Sequence, residues 1–327
     1  MTSKENLRVL SGIQPSGILH LGNYFGMMSR MIDYQKENDL FCFIANYHAL
    51  TIQPQKDELS ENTFYAACDF LALGIDPEKS TFWVQSDVPQ VTELAWIISP
   101  MASVGLMDRS TSYKDKIAKG INSNMGLFSY PMLMAADILC FDTQIVPVGK
   151  DQKQHLEITR DIANRFNHNY GDILIVPDSD IEKSTQLIPG IDGQKMSKSY
   201  NNTIPIFANE KVIRKQVMSI VTDATPIDEP KNKETTLFEL YSLFLDITQK
   251  KELTEKYDGV GLRYGDIKGE LYDCIMDYFS PFRLKRDRLV KNKKHVLDLL
   301  HYGAEKASET ADEILDRVRS AIGIKYN

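Results

Sequence analysis

The chain has 327 residues, 43% hydrophobic and 25% charged, which suits a soluble globular protein of one large domain or two ordinary ones. No run approaches the length of a membrane-spanning helix, and the amino terminus, MTSKENLRVLSG, has neither the apolar segment nor the cleavage site of a secretory leader. Four cysteines without a CxxC pair argue against a zinc knuckle or disulfide framework and fit a reducing cytoplasm. The net charge of −7 discourages a nucleic-acid partner, yet residues 283–295 (RLKRDRLVKNKKH) carry seven Lys/Arg against Asp287. That run reads either as a solvated helix face or as a phosphate-contacting surface.

In chain order, residues 7–10 (LRVL) predict a short strand halted by Ser11-Gly12, followed by a loop with Pro15 and Gly17. Phe25, Met28 and Ile32 then recur at helical spacing. Residues 40–47 (LFCFIANY) read as a buried strand, 57–73 as a helix stopped by Gly74, 81–84 (TFWV) as a strand and 91–99 as a helix. Residues 107–124 are polar and basic. A helix is expected over 127–139, a strand over 145–148, a helix over 152–166 and a strand over 173–176 (ILIV). From about Ala208 the chain looks almost wholly helical, ending in a helix over 307–322. Strands alternating with helices of this length imply crossover connections: an α/β fold, with a Rossmann-like doubly wound parallel sheet and a C-terminal α-helical domain. The boundary is expected between 204 and 205.

Two motifs carry chemistry. Residues 12–26, GIQPSGILHLGNYFG, follow a strand and precede a helix, where an open parallel sheet binds ligands. Gly12, Gly17 and Gly22 permit close backbone approach, and His20 and Asn23 fall on one side of the first helical turn. Neither a P-loop nor GxGxxG spacing is present. A Gly/Pro-rich turn in which His20 only caps the helix is the blander alternative. The second motif is Lys195-Met196-Ser197-Lys198-Ser199 after PGIDG at 189–193. Two lysines and two hydroxyls on a loop hinged by Gly190 and Gly193 suit a mobile clamp on polyphosphate, useful if it grips the departing pyrophosphate most tightly in the transition state. An exposed basic loop is the alternative.

HLGN at 20–23 resembles the HIGH signature of class I aminoacyl-tRNA synthetases, and residues 195–199 match KMSKS letter for letter. Along nearly its whole length the chain is similar to bacterial-type tryptophanyl-tRNA synthetases, notably at 11–24, SYPMLMAADIL (129–139) and VPVGKDQKQHLEITRDIANRFN (146–167). The resemblance implies ATP-dependent activation of tryptophan, with Mg²⁺ assisting, and its transfer to tRNA(Trp). It implies that Gln14, Pro15, Ser16, Gly22 and Asn23 line the ATP site, with His20 near the phosphates. Gly149, Lys150 and Asp151 would adjoin ribose and adenine, and Ile188 would lie against the nucleotide. Lys195 and Lys198, within the Lys195–Ser199 loop that includes Met196 and Ser197, would hold the pyrophosphate. Asp137 would accept the indole N–H, with Tyr130, Met134, His48 and Gln152 helping to hold the amino acid. A homodimer, and anticodon recognition by the helical region that carries the basic run, are further implications.

The Asp137 role has physical sense of its own. Indole has one N–H donor and no acceptor, and a substrate lacking that donor would leave a buried carboxylate unpaired. An Asp on a helix paired with a nearby Lys or Arg is the alternative. Asn23 stands where HIGH has its second histidine and cannot carry charge. Lys150 stands where many relatives are acidic, and Pro131-Met132 where they have two prolines. His48, His155 and His168 match no zinc spacing, His155 reading as a packing or surface residue, and no GxSxG elbow marks a nucleophile. Rival functions are the sister enzyme for tyrosine and a non-charging nucleotide- or RNA-binding relative.

Overall fold

The computed structural model describes residues 6–110, 113, 114, 117, 120, 122–149, 152–180 and 187–326. Its strands are β1 (Arg8–Ile13), β2 (Asp39–Ile44), β3 (Ser80–Val84), β4 (Ile145–Pro147) and β5 (Asp178–Asp180), all parallel in the order β3-β2-β1-β4-β5. β2 and β3 are buried almost throughout, as expected when helices cover both faces of a parallel sheet. The chain runs outward from β1 to β3 and then returns to β4 beside β1, so the topology reverses between β1 and β4. Register is anchored at the amino ends by Arg8, whose Nε donates to Asp39 Oδ2 at 2.8 Å and whose guanidinium lies over the Phe41 ring.

The helices are α1 (Leu21–Asn23), α2 (Ser29–Tyr34), α3 (Asn46–Ala49), α4 (Lys56–Leu73), α5 (Gln90–Ile98), α6 (Val104–Asp108), α7 (Met125–Leu139), α8 (Lys153–Tyr170), α9 (Glu210–Met218), α10 (Thr236–Ser242), α11 (Ile247–Asp258), α12 (Tyr264–Lys291) and α13 (Lys293–Ile322). A π-helical turn, Tyr24–Met28, lies between α1 and α2. Their ends follow local chemistry. Asp57 and Glu58 sit in the first turn of α4, where the macrodipole favours anions, and Gly74 closes it at φ +125°. Asn124 caps α7 by accepting the Leu127 N–H.

Two compact units result. The first comprises Met1–Gly17, Met31–Ser184 and Asn292–Asn327, the second Ile18–Arg30 and Thr185–Lys291. This differs from the expected division at 204/205, and the reason lies in α13. Its Ala304, Ala307, Ala311, Ile314, Leu315 and Val318 join the sheet's core with Phe41, Trp83 and Leu94. Arg319 pairs with Glu93 on α5, and Arg317 forks onto Asp142 at 2.7 Å. The last helix therefore belongs with the sheet.

Two further expectations fail. Residues 173–176 form no strand: the Asn167 side chain takes the N–H groups of Ile173 and Leu174 and donates to the Leu174 carbonyl, satisfying the backbone without a ladder. The strand there is the polar Asp178–Asp180, paired with β4. Residues 219–235 are irregular rather than helical, held by the buried Lys231, whose ammonium donates to the carbonyls of Thr225 and Pro226.

Gly303 is where α13 meets β3. A Cβ there would overlap the Phe82 carbonyl group, its carbon only 2.6 Å away, and backbone cannot yield as a flexible side chain can. Gly303→Ala is expected to cost about 3 kcal/mol, the upper part of the overpacking range. Urea denaturation checks this; an unchanged midpoint would refute the close approach.

Candidate active site

In the first unit, the carboxyl ends of the strands converge on the switch point. Gln14 and Ser16, both exposed, and buried Pro15 follow β1 directly. Gly12 is required by its neighbour: a Cβ would lie 2.6 Å from the Phe43 ring. Gly17 turns the chain at φ +88°. On the other side of the reversal, Gly149 follows β4 and its carbonyl accepts the Gln152 N–H at 3.0 Å. Lys150 and Asp151 lie outside the described residues.

Of the residues expected around the amino acid, Asp137, His48, Tyr130 and Met134 cluster beyond the carboxyl ends of β2 and β3, whereas Gln152 is placed by its N–H on Gly149 after β4. Asp137, on α7, is 2% exposed. His48 Nε2, on α3, lies 2.7 Å from its Oδ2, and Gln85 Nε2, just after β3, donates to its Oδ1 at 2.7 Å. Gln85 in turn accepts the Tyr47 N–H through Oε1. Tyr130 sets its ring against both His48 and His155, centroids 4.8 and 5.3 Å away, and its hydroxyl points to the Met134 sulfur at 3.8 Å. His155 is buried, as a packing residue is.

Two points differ from the sequence reading. The partners that Asp137 finds are His48 and Gln85, and Gln85 was not anticipated. A polar residue at the carboxyl end of a wholly buried strand was the available signal. Moreover, each carboxylate oxygen already has a partner, so a substrate without a ring N–H does not strand a bare carboxylate. What it forfeits is one hydrogen bond to the lone pairs that remain.

The second unit brings HLGN and KMSKS together. The Leu21 N–H donates to the Ile204 carbonyl, and the Ile206 N–H to that of Leu19, each at 3.0 Å. Met196 is buried, and its sulfur receives the Gly22 N–H at 3.2 Å. A Cβ at Gly22 would meet His20 Nδ1 at 3.0 Å and Met196 Cβ at 3.2 Å. His20 directly precedes α1, and the Asn23 carboxamide accepts its backbone N–H at 3.1 Å. Its ring is 6% exposed, with Nδ1 buried and unpaired. Burial first, and the Lys198 ammonium second, push its pKa down from 6.5 to about 4, so the imidazole is neutral at pH 7.

The KMSKS loop hangs on Asn202, 1% exposed. Its Oδ1 accepts the Ser197 N–H at 2.8 Å, and its Nδ2 donates to the Lys195 carbonyl at 3.1 Å and to Asp192 Oδ1 at 2.7 Å. Buried Ile188 contributes its carbonyl to the Met196 N–H. Gly190 is less a hinge than a close-packed position, since a Cβ there would collide with the Asn202 carboxamide and lie 2.7 Å from its carbonyl oxygen. Lys195, Lys198 and Ser199 remain exposed around this buried anchor, and Ser197 Oγ lies 2.8 Å from Ser199 Oγ. In the basic run, Arg283 donates to the Ile206 carbonyl, Arg286 covers the Phe207 ring and Lys293 sets its ammonium over the Phe64 ring, while Lys285, Arg288, Lys291 and Lys294 face solvent.

Residues 2–280 match the family model described as tRNA synthetases class I (W and Y). The chain belongs to that family. It is 51% identical to the tryptophan--tRNA ligase of Fusobacterium nucleatum, over 98% of this chain and 99% of that one. The tryptophan--tRNA ligase of Campylobacter jejuni is 49% identical over 97% of this chain and its own full length. Among solved structures, the tryptophanyl-tRNA synthetase of C. jejuni, complexed with ADP and tryptophan, superposes with a TM-score of 0.93 at 49% identity, covering 97% and 100% of the two chains. A tyrosyl-tRNA synthetase from Aeropyrum pernix shares the fold at 18% identity and a TM-score of 0.67. Kinship is thus with the bacterial tryptophan branch.

The lowered pKa of His20 gives a signed prediction. The unfolded chain binds the His20 proton below about pH 6.5 and the folded chain only near 4, so its contribution to stability is complete above 6.5 and lost as pH falls toward 4. His20→Gln is expected to flatten the stability–pH curve between about pH 6.5 and 4, measured by denaturation at several pH values. A variant curve as steep as the parent's would contradict the burial of a neutral ring.

Proposed function

We infer that this chain is an ATP-dependent, AMP-forming ligase that activates L-tryptophan to tryptophanyl-adenylate and transfers the amino acid to tRNA(Trp). The tryptophan carboxylate attacks the α-phosphorus of ATP in line, forming the mixed anhydride and releasing pyrophosphate. The terminal ribose hydroxyl of the tRNA then attacks the activated carbonyl, and AMP departs. No covalent enzyme intermediate is needed; the protein contributes positioning and charge stabilisation, the main resources of phosphoryl chemistry. The observation that carries this reading is the intact KMSKS loop tied to HLGN, in a chain half identical to tryptophan--tRNA ligases along its whole length.

In this reading Lys195 and Lys198 hold the departing pyrophosphate, with His20 and Asn23 in support. His20, neutral, serves by hydrogen bonding rather than by charge. Gln14, Pro15, Ser16, Gly22, Gly149, Lys150, Asp151, Ile188, Met196, Ser197 and Ser199 complete the ATP site. The buried Ile188 and Met196 act mainly by shaping the loop. Asp137 receives the indole N–H, with His48, Tyr130, Met134 and Gln152 around the amino acid. Mg²⁺ would be held by the nucleotide's own phosphate oxygens, which this ion readily takes as ligands, and would add charge stabilisation there.

We assign anticodon recognition to the helical part of the second unit and phosphate contacts to the exposed lysines and arginines of residues 283–295, with a homodimer as the working assembly. A cytoplasmic location fits four free cysteines, three of them buried; among the described residues no helix is long and apolar enough to cross a membrane.

Tryptophan-dependent ATP–pyrophosphate exchange, run beside tyrosine and phenylalanine, tests the core of this reading. Exchange with tryptophan alone is expected; exchange with tyrosine instead overturns the assignment of Asp137. In the same assay Lys195→Ala should slow adenylate formation by a hundredfold or more, roughly the cost of one transition-state donor, with little change in tryptophan binding. An equal loss in both refutes a transition-state role. Charge reversal at Lys285, Arg288 and Lys291 should weaken aminoacylation at moderate salt while leaving exchange intact. Unchanged aminoacylation removes the basic run from the RNA surface.

A further inference from the structure

Gln85 has no assigned task, yet its geometry is the most tightly determined in the buried cluster. A backbone N–H can only donate, so the Gln85 atom 2.9 Å from the Tyr47 nitrogen must be the oxygen. That choice turns Nε2 toward Asp137 Oδ1 at 2.7 Å, and the amide cannot flip without losing both bonds. Its backbone is held as well. The Ser86 N–H donates to Asn46 Oδ1 at 3.0 Å and the Asn46 amide donates to Ser86 Oγ at 2.8 Å, which laces the segment after β3 to the segment after β2.

The consequences reach the protonation of the cluster. An amide N–H facing Oδ1 at 2.7 Å requires an acceptor there. Oδ2 lies 2.7 Å from His48 Nε2 and accepts its N–H in the tautomer protonated there. His48 Nδ1 is then a lone pair, and it is buried without a hydrogen-bond partner. No buried cation is needed to complete this arrangement. Of the other groups facing Asp137, Cys140 one turn along α7 stays a thiol, since burial and then Asp137 itself push its pKa up, and Tyr130 presents its ring edge to His48.

We propose that Gln85 is a specificity-determining positioning residue: it holds Asp137 in one orientation as a carboxylate that only accepts, so that the remaining lone pairs select a substrate with a ring N–H. The proposal rests on the reading of Asp137 as the partner of the indole, and it gives that partner its orientation.

Gln85→Glu is the decisive change. Glutamate keeps an acceptor for the Tyr47 N–H but sets a second carboxyl against Asp137, and two carboxyls at that distance share one proton rather than both ionise. The readout is kcat/KM in pyrophosphate exchange from about pH 5 to about pH 9. Two substrates are compared: tryptophan, and the analogue in which a benzothiophene sulfur replaces the ring N–H. The parent enzyme supplies the reference profile and is expected to prefer tryptophan throughout. In Gln85→Glu the preference should fall about tenfold near pH 7, the scale of one lost hydrogen bond to a charged group. It should recover as the shared proton leaves at higher pH, with KM for ATP unchanged. Gln85→Met, which removes the donor without adding charge, should lower the preference at every pH and carries the test if Gln85→Glu does not fold. A parental preference in either folded variant overturns the proposal. Asp137→Ala separates the two levels. If it abolishes the preference while the Gln85 variants keep it, only the role of Gln85 falls; if it keeps the preference, the reading of Asp137 falls too.

Discussion

A sheet whose strands all run one way delivers every following segment to the same end, and that constraint decides where chemistry can gather in the first unit. Gln14 and Ser16 follow β1, Tyr47 and His48 follow β2, Gln85 follows β3, and Gly149 follows β4. Helix α7 then brings Asp137 to residues contributed by two of these segments. Nothing in the local sequence of any one segment specifies the cluster. It arises because the strands are parallel and because their burial on both faces leaves no alternative register for β2 between β1 and β3.

The second unit solves a different problem with the same economy of parts. Residues 20–23 and 195–199 are far apart in sequence, and backbone pairing around Leu19–Leu21 and Ile204–Ile206 joins them. A polyphosphate-binding loop must expose its lysines yet hold them in place. Here the anchor is internal: Met196 is buried against Gly22, and Asn202 grips the backbone on both sides of it. The exposed ammonium groups are thus mounted on a buried methionine and a buried amide. The same burial leaves His20 neutral, so in the proposed reading the positive charge offered to a phosphate comes from lysines rather than from histidine.

Much of this was legible in the sequence. The first four strands appear as short apolar runs because both faces of the sheet are covered, and α4, α5, α7 and α8 appear through their periodicity and caps. The ILIV run at 173–176 was misread because an apolar segment can satisfy its backbone from one asparagine side chain, Asn167, as well as from a neighbouring strand. β5 was invisible for the opposite reason: a three-residue edge strand of Asp-Ser-Asp carries no hydrophobic signal. The domain boundary was misplaced because α13 is helical by local pattern but belongs to the sheet by long-range contacts centred on Gly303 and its alanines. Asn202 escaped notice because a single amide beside a motif looks like any surface residue until its partners are known, whereas Gln85 was marked only by its place at the end of a buried strand.

The buried carboxylate also changes how selectivity should be understood. If Asp137 were bare, an isosteric substrate without a donor would be rejected by the whole desolvation penalty of an unpaired charge. With both oxygens already occupied, that penalty is met by the protein before any ligand arrives, and under the proposed role of Asp137 the difference between substrates shrinks to one hydrogen bond. Pre-satisfaction has a compensating gain. An amide facing one oxygen and an imidazole facing the other hold the carboxyl group in one place before any ligand arrives. The cluster therefore exchanges maximal discrimination for a fixed orientation. In the proposed reading the rest of the selectivity falls to shape, and the Tyr130 ring, set against His48 with its hydroxyl at the Met134 sulfur, can supply it.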